Sequence, residues 1–155
     1  MQIQIPDAAA MVALGQRLGS HLSPGDAVCL TGPLGAGKTT LVRGVAAGMG
    51  IDGPIVSPTF VISRRYPGPR GELVHCDAYR LAADDDFLDV VPDPESVVTV
   101  IEWGAPVMTA IADSWLDITI DRSSGSGDDV RTVTFTAAGS QWDDERVADV
   151  VRGDR

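Results

Sequence analysis

From Asp7, a residue suited to cap a helix, the apolar positions Met11, Leu14, Leu18 and Leu22 recur at steps of three and four. That spacing predicts an amphipathic helix over residues 8 to 22, ended by Pro24-Gly25. "DAVCLT", 26 to 31, reads as a short buried strand; a glycine-rich turn follows it, and Lys38 to Met49 continues as a helix before Gly50. "TFVISRRY" (59 to 66) and "ELVHCDAY" (72 to 79) flank the turn-rich "PGPRG" and predict an antiparallel hairpin. "SVVTVIEW", 96 to 103, is nearly all apolar, as a central strand covered on both faces requires. "WLDITIDR" and "RTVTFTAA" alternate and are joined by the loop "SSGSGDD", 123 to 129, giving a second hairpin before a last helix from about 140 to 152. The sum is an α/β three-layer sandwich: a mixed parallel and antiparallel sheet with helices on both faces.

Length makes this one unit. The 155 residues suit a single domain, with a motif-bearing core over 11 to 105 and a hairpin and helix over 114 to 152. No basic leader precedes an apolar run and no window nears eighteen uninterrupted apolar residues, so neither export nor a membrane span is expected. Cys29 and Cys76 each sit inside a β-type apolar run and read as buried thiols, which points to a reducing cytoplasm. The formal charge of −10 repels phosphate backbones, so any role on RNA would run through a partner. Arg64, Arg65 and Arg70 read as a solvated hairpin tip, and Asp84 to Asp86 as a solvated helix start.

The turn after "DAVCLT" carries the chemistry. Gly32, Pro33, Leu34, Gly35, Ala36, Gly37, Lys38 and Thr39 satisfy G-x-x-x-x-G-K-[ST] between a strand and a helix, and Thr40 follows in the first helical turn. Gly35 and Gly37 let successive amides turn toward phosphate oxygens, and the positive end of the following helix adds to the attraction. Lys38, the single lysine of a chain with eleven arginines, would reach the β- and γ-phosphates of ATP as a compact charge, and the Thr39 hydroxyl would ligate Mg²⁺. The fold class is therefore that of the P-loop NTPases.

Two acids follow apolar runs: Asp77 after "LVHC" and Glu102 after "VVTVI". Glu102 is placed to bind Mg²⁺ directly or through water, and Asp77 to orient or deprotonate an attacking water, with the two roles exchangeable. Thr59, in "SPTF", has the place of a switch hydroxyl sensing the γ-phosphate, or of a turn residue opening a strand. His75 reads as a packed or hydrogen-bonded side chain, and Trp103 as a core residue or a ligand- or partner-stacking ring. No N-K-x-D element for guanine and no ABC signature occurs.

"GDAVCLTGPLGAGKTTLVRGVAAGMG", "VSPTF", "HCDAYRL" and "VIEWG", in this order and at these spacings, resemble the TsaE (YjeE) family of small bacterial P-loop ATPases over about residues 11 to 105. The resemblance implies an ATPase required for threonylcarbamoyladenosine in tRNAs that read codons beginning with A. It would act with homologues of TsaB and TsaD, touch tRNA only through that complex, and hydrolyse ATP to ADP slowly without those partners. It further implies phosphate and Mg²⁺ binding by Lys38 and Thr39, Glu102 in the Mg²⁺ site, and Asp77 and Thr59 as the family's acid and switch hydroxyl. Trp103 matches the aromatic of the family's "IEW". Pro33 stands where many members have an acid, "AADDDFLDVVPDPES" lacks the glycine expected there, and the C-terminal hairpin matches only a loose "GSQW". A small-molecule kinase, with Asp77 activating an acceptor hydroxyl, and a nucleotide-gated binding protein with incidental hydrolysis are the alternative classes.

Overall fold

A computed structural model of the chain describes residues 1–59, 62–79, 89–91, 93–122 and 127–153. In chain order the elements are β1 (Gln2–Ile5), α1 (Ala8–His21), β2 (Ala27–Thr31), α2 (Lys38–Gly48), β3 (Ser63–Tyr66), β4 (Glu72–Asp77), β5 (Val97–Glu102), β6 (Trp115–Arg122), β7 (Arg131–Ala138) and α3 (Asp144–Arg152). The strands form one sheet in the order β1-β7-β6-β2-β5-β4-β3. β6, β2, β5 and β4 run parallel, while β3 on one edge and β7 and β1 on the other pair antiparallel. Parallel pairing brings the C-terminal ends of β2, β4 and β5 to one edge, the usual location of ligand sites in such sheets.

Alternation along the strands divides the core in two. Val28 and Leu30, Leu73, Val98 and Val100, and Leu116, Ile118 and Ile120 pack in one cluster with the apolar faces of α1, α2 and α3. Ala27, Cys29, Val74, Cys76, Val97 and Ile101 face the other way, against Val91, Met108 and Ile111. The mixed sheet of the three-layer sandwich is thus as expected, with unequal helical cover. Among the described residues all three α-helices lie on one face, and the other face carries the 3-10 turn Met108–Ala110.

The expected elements form within a few residues of their anticipated bounds. Asp7 caps α1, its Oδ1 accepting from the Ala10 amide at 2.8 Å. All six residues of β5 are buried, as a strand covered on both faces must be. The last helix begins at Asp144 because Asp143 caps it, after a stretch that drives Trp142 into the core. β1 was not anticipated: a four-residue strand carries little periodic signal, and its pairing with β7 supplies the reason it forms. Phe60 and Val61, the acidic run at 84 to 86 and most of the "SSGSGDD" loop lie outside the described residues.

The arginine cluster divides. Arg65 makes an exposed ion pair with Glu72, its Nε 2.6 Å from Oε1, which holds the Glu72 carboxyl below its ordinary range. Arg70 is exposed as a tip residue should be, and it also donates to the carbonyls of Gly19, Ser20 and Gly48, tying together the C-terminal ends of α1 and α2.

Between those helices the packing is backbone to backbone. Cβ atoms built at Gly15 and Gly19 would overlap the carbonyls of Leu41 and Val45, and at Gly44 and Gly48 those of Val12 and Gln16. Gly44→Ala is therefore expected to destabilise the fold. The helix-propensity gain of about 1 kcal/mol is outweighed by an overlap that costs about 1–3 kcal/mol or more, read as a lower urea midpoint.

Burial pushes the Cys29 thiol up to about 12, with Asp117 adding to it, and the Cys76 thiol up to about 11. Both should resist a thiol reagent at pH 8.5 until denaturant is added. Since the unfolded thiols ionise near 9 and the folded ones later, the stability they contribute is complete below pH 9 and lost as pH rises toward 11 to 12. A urea titration at stepped pH measures this.

Candidate functional site

Of the three described α-helices, α1 and α3 begin on an aspartate that caps a backbone amide, while α2 begins on Gly37 with no side-chain cap. Gly37 (φ 113°) and Gly35 (φ 76°) hold the left-handed backbone that carries the chain from β2 into α2. Among the described residues the first amides of α2 have no side-chain cap, a donor arrangement that matches phosphate oxygens. Lys38 Nζ donates to the carbonyls of Gly32 at 2.5 Å and Pro33 at 3.4 Å, folding over the loop that a phosphate chain would occupy. It also lies 5.1 Å from the centre of the Trp103 ring, which in turn is 5.8 Å from the exposed ring of Tyr79.

The sheet register assembles the acids. Asp77 pairs with Glu102 across β4 and β5, and Glu102 with Leu30 of β2, two residues before Gly32. Leu73, Val98 and Val100 face the α-helices, so strand alternation turns His75, Asp77 and Glu102 to the same side, the side of α2. Both acids are buried, at 6% and 4% exposure, and both are partnered. Asp77 Oδ1 accepts from the Tyr79 amide at 2.9 Å, and Glu102 Oε1 accepts from His75 Nε2 at 3.0 Å. His75 is fully buried, and its Nδ1 has no hydrogen-bond partner among the described residues. The expectation that His75 is a hydrogen-bonded side chain thus acquires a named partner, and Glu102 a fixed orientation.

Two strained residues stand beside this pair. Ile62 (φ 68°) and Trp103 (φ 58°) adopt the left-handed region that side chains with a Cβ avoid. Each keeps a strand end in place: the Ile62 carbonyl accepts from the Asp77 amide at 2.8 Å, and the Trp103 amide donates to Leu30 at 2.7 Å. Thr59 lies just before Ile62, its hydroxyl 2.7 Å from that of Ser57. The structure brings together Lys38, Trp103, Asp77 and Glu102; it puts Thr59 on the adjoining segment, engaged with Ser57.

Thr39 is half-buried in the first turn of α2. Its hydroxyl and the Glu102 carboxylate are the oxygen-donor types that would suit Mg²⁺, which takes one or two carboxylates when phosphates and water fill its other positions; among the described residues no group of three or more His, Cys, Asp or Glu side chains could hold a metal ion.

The C-terminal hairpin contributes residues that the sequence reading left unassigned. Arg131 Nε donates to the Ala36 carbonyl at 3.1 Å, and the Arg122 guanidinium packs over Gly35. The two arginines are register partners at the end of the hairpin. No motif marks them, and only the pairing of β6 with β2 reveals which loop they brace.

Parallel core strands, a glycine loop opening an uncapped helix and acids on the neighbouring strand ends define an α/β protein of the P-loop-like class. The chain belongs to the TsaE family, "Threonylcarbamoyl adenosine biosynthesis protein TsaE", whose model matches residues 5–132. Named relatives include the tRNA threonylcarbamoyladenosine biosynthesis proteins TsaE of Streptomyces coelicolor and Bacillus subtilis. The first is 45% identical over 85% of this chain and 93% of its own. The second is 36% identical over 84% and 82%. The crystal structure of Bacillus subtilis YdiB superposes with a TM-score of 0.79 at 28% identity, covering 100% of this chain and 96% of the other.

His75 and Glu102 should be energetically coupled. In a double-mutant cycle with His75→Ala and Glu102→Ala, the coupling energy from urea unfolding is expected to exceed about 0.5 kcal/mol, the range of directly bonded pairs. Additive losses would mean that the contact orders nothing.

Proposed function

We propose that this protein binds and hydrolyses ATP as an accessory factor in the threonylcarbamoylation of tRNAs that read codons beginning with A. It would do so in the cytoplasm together with homologues of TsaB and TsaD. The observation that carries the ATPase reading is the register that sets Asp77 beside Glu102, and Glu102 beside the strand that opens the glycine loop. In this reading Gly32 to Thr40 cradle the phosphates, and Lys38 leaves its loop carbonyls for the β- and γ-phosphate oxygens. Thr39 and Glu102 hold Mg²⁺, which supplies neutralisation of phosphate charge when bound. Glu102 is held in one orientation by His75, and Asp77 orients the attacking water and takes up its proton. Thr59 acts as the switch hydroxyl on the segment before Ile62, whose carbonyl accepts from the Asp77 amide.

Participation in a protein complex is supported by what the surface offers. Leu34 at the loop tip is 94% exposed and Tyr79 beyond β4 is 74% exposed, with Ile62 nearby also exposed. A charge of −10 leaves tRNA contact to the partners.

Reconstitution with TsaB and TsaD homologues and a source of threonylcarbamoyl-AMP tests the whole reading. Modified tRNA should accumulate beyond one equivalent only with this protein and ATP. Lys38→Ala is expected to lose ATP binding, and Glu102→Ala to retain binding while turnover falls by about 10²–10³-fold. Normal multiple turnover with Glu102→Ala would show that hydrolysis is incidental. ATP consumption that requires a small hydroxylated acceptor would make the protein a kinase.

A further inference from the structure

The edge strand β3 sorts its arginines by face. Arg65 pairs with Val74 on the side away from the α-helices, while Arg64 pairs with His75 and Tyr66 with Leu73 on the side they cover. Arg64 was expected at a solvated hairpin tip with Arg65 and Arg70. It is instead half-buried, and its Nε is shut off from solvent with no hydrogen-bond partner among the described residues. The same holds for Nδ1 of the fully buried His75, directly opposite across the strand pair. Opposed side chains of an antiparallel pair stand roughly 4.5–5.5 Å apart at Cβ. Two orphaned polar atoms thus belong to neighbouring side chains on one face, two residues along β4 from Asp77.

Their chemistries match. His75 Nε2 lies 3.0 Å from Glu102 Oε1, and an ionised carboxylate only accepts, so a neutral ring bonded to it carries its proton on Nε2. Nδ1 is then a lone pair, whereas the Nε–H of Arg64 can only donate. A donor set against Nδ1 admits that tautomer alone, because a proton on Nδ1 would face another proton. Resting on the ATP reading above, in which Glu102 serves the Mg²⁺ site, we propose that Arg64 is a positioning residue for Glu102. Through one bridging water it donates to His75 Nδ1, which fixes the Nε2 proton on the Glu102 carboxylate. A buried water needs at least two polar partners, and these two orphaned atoms supply them. The chain from Arg64 through His75 to Glu102 crosses β3, β4 and β5, so the carboxylate is oriented from the edge of the sheet.

The test is the nitrogen-15 spectrum of the histidine rings at mildly alkaline pH, read beside steady-state ATP hydrolysis. The chain has two histidines, so His21→Gln identifies the His75 signals by difference. Wild-type His75 is expected as the Nε2–H tautomer. Arg64→Met, which keeps an apolar stem, is expected to shift the Nδ1 signal and to lower kcat by about tenfold or more while KM stays within about twofold. Arg64→Lys, which keeps a donor, should recover most of both, and melting temperatures confirm folding. A wild-type His75 protonated on Nδ1 overturns the proposal without any variant, as do unmoved ring signals in folded Arg64→Met. Weakened ATP binding with unmoved ring signals overturns it too, and makes Arg64 a phosphate contact. Ring signals that move in a protein whose wild type does not turn over ATP support the hydrogen-bond chain and overturn the ATPase reading alone.

Discussion

The contact on which the rest of this molecule depends is the glycine-to-backbone packing of α1 on α2. Gly15 and Gly19 on one helix and Gly44 and Gly48 on the other leave no room for a Cβ between them. α2 is the helix whose uncapped first turn completes the glycine loop, so its axis decides where the open amides point. The same contact sets the start of α1 beside that loop, and Arg70 ties the far ends of both helices through three carbonyls. A single methyl group in this seam would move the loop relative to the strand ends that carry the acids, because close-packed interiors transmit displacement and do not absorb it.

The second constraint is the parallel register of β4, β5 and β2. It buries two carboxylates side by side at the end of the sheet, an arrangement that costs free energy unless each is bonded. The His75 ring and the Tyr79 amide supply those bonds. Backbone strain at Ile62 and Trp103 falls at the same place, where hydrogen bonds from both residues hold the strand ends. Stability is thus spent locally, in a region that the rest of the sheet holds rigid.

Much of the fold was legible in the residue pattern because its signals are local. The three-and-four spacing of α1, the alternation of β6 and β7 and the apolar run of β5 each report their own burial. Trp142 and β1 were less legible: one lies outside any periodic run, and the other is a four-residue edge strand that exists through its pairing with β7. Within the site, the glycine loop, Lys38, Asp77 and Glu102 were visible as residues at strand ends. The His75 contact to Glu102 and the bracing of the loop by Arg122 and Arg131 were not, since each joins segments far apart in the chain.

The amino-acid sequence by itself determined the order of helices and strands, the loop that joins β2 to α2, the acids and the family to which the chain belongs. All of these are recorded in periodicity or in covalently adjacent residues. Only the tertiary structure decided that Asp77 stands beside Glu102, that the three described α-helices cover one face, and that the hairpin walls the loop on the side away from the acids. Strand order and register arise from burial shared between distant segments, and no single segment carries that information.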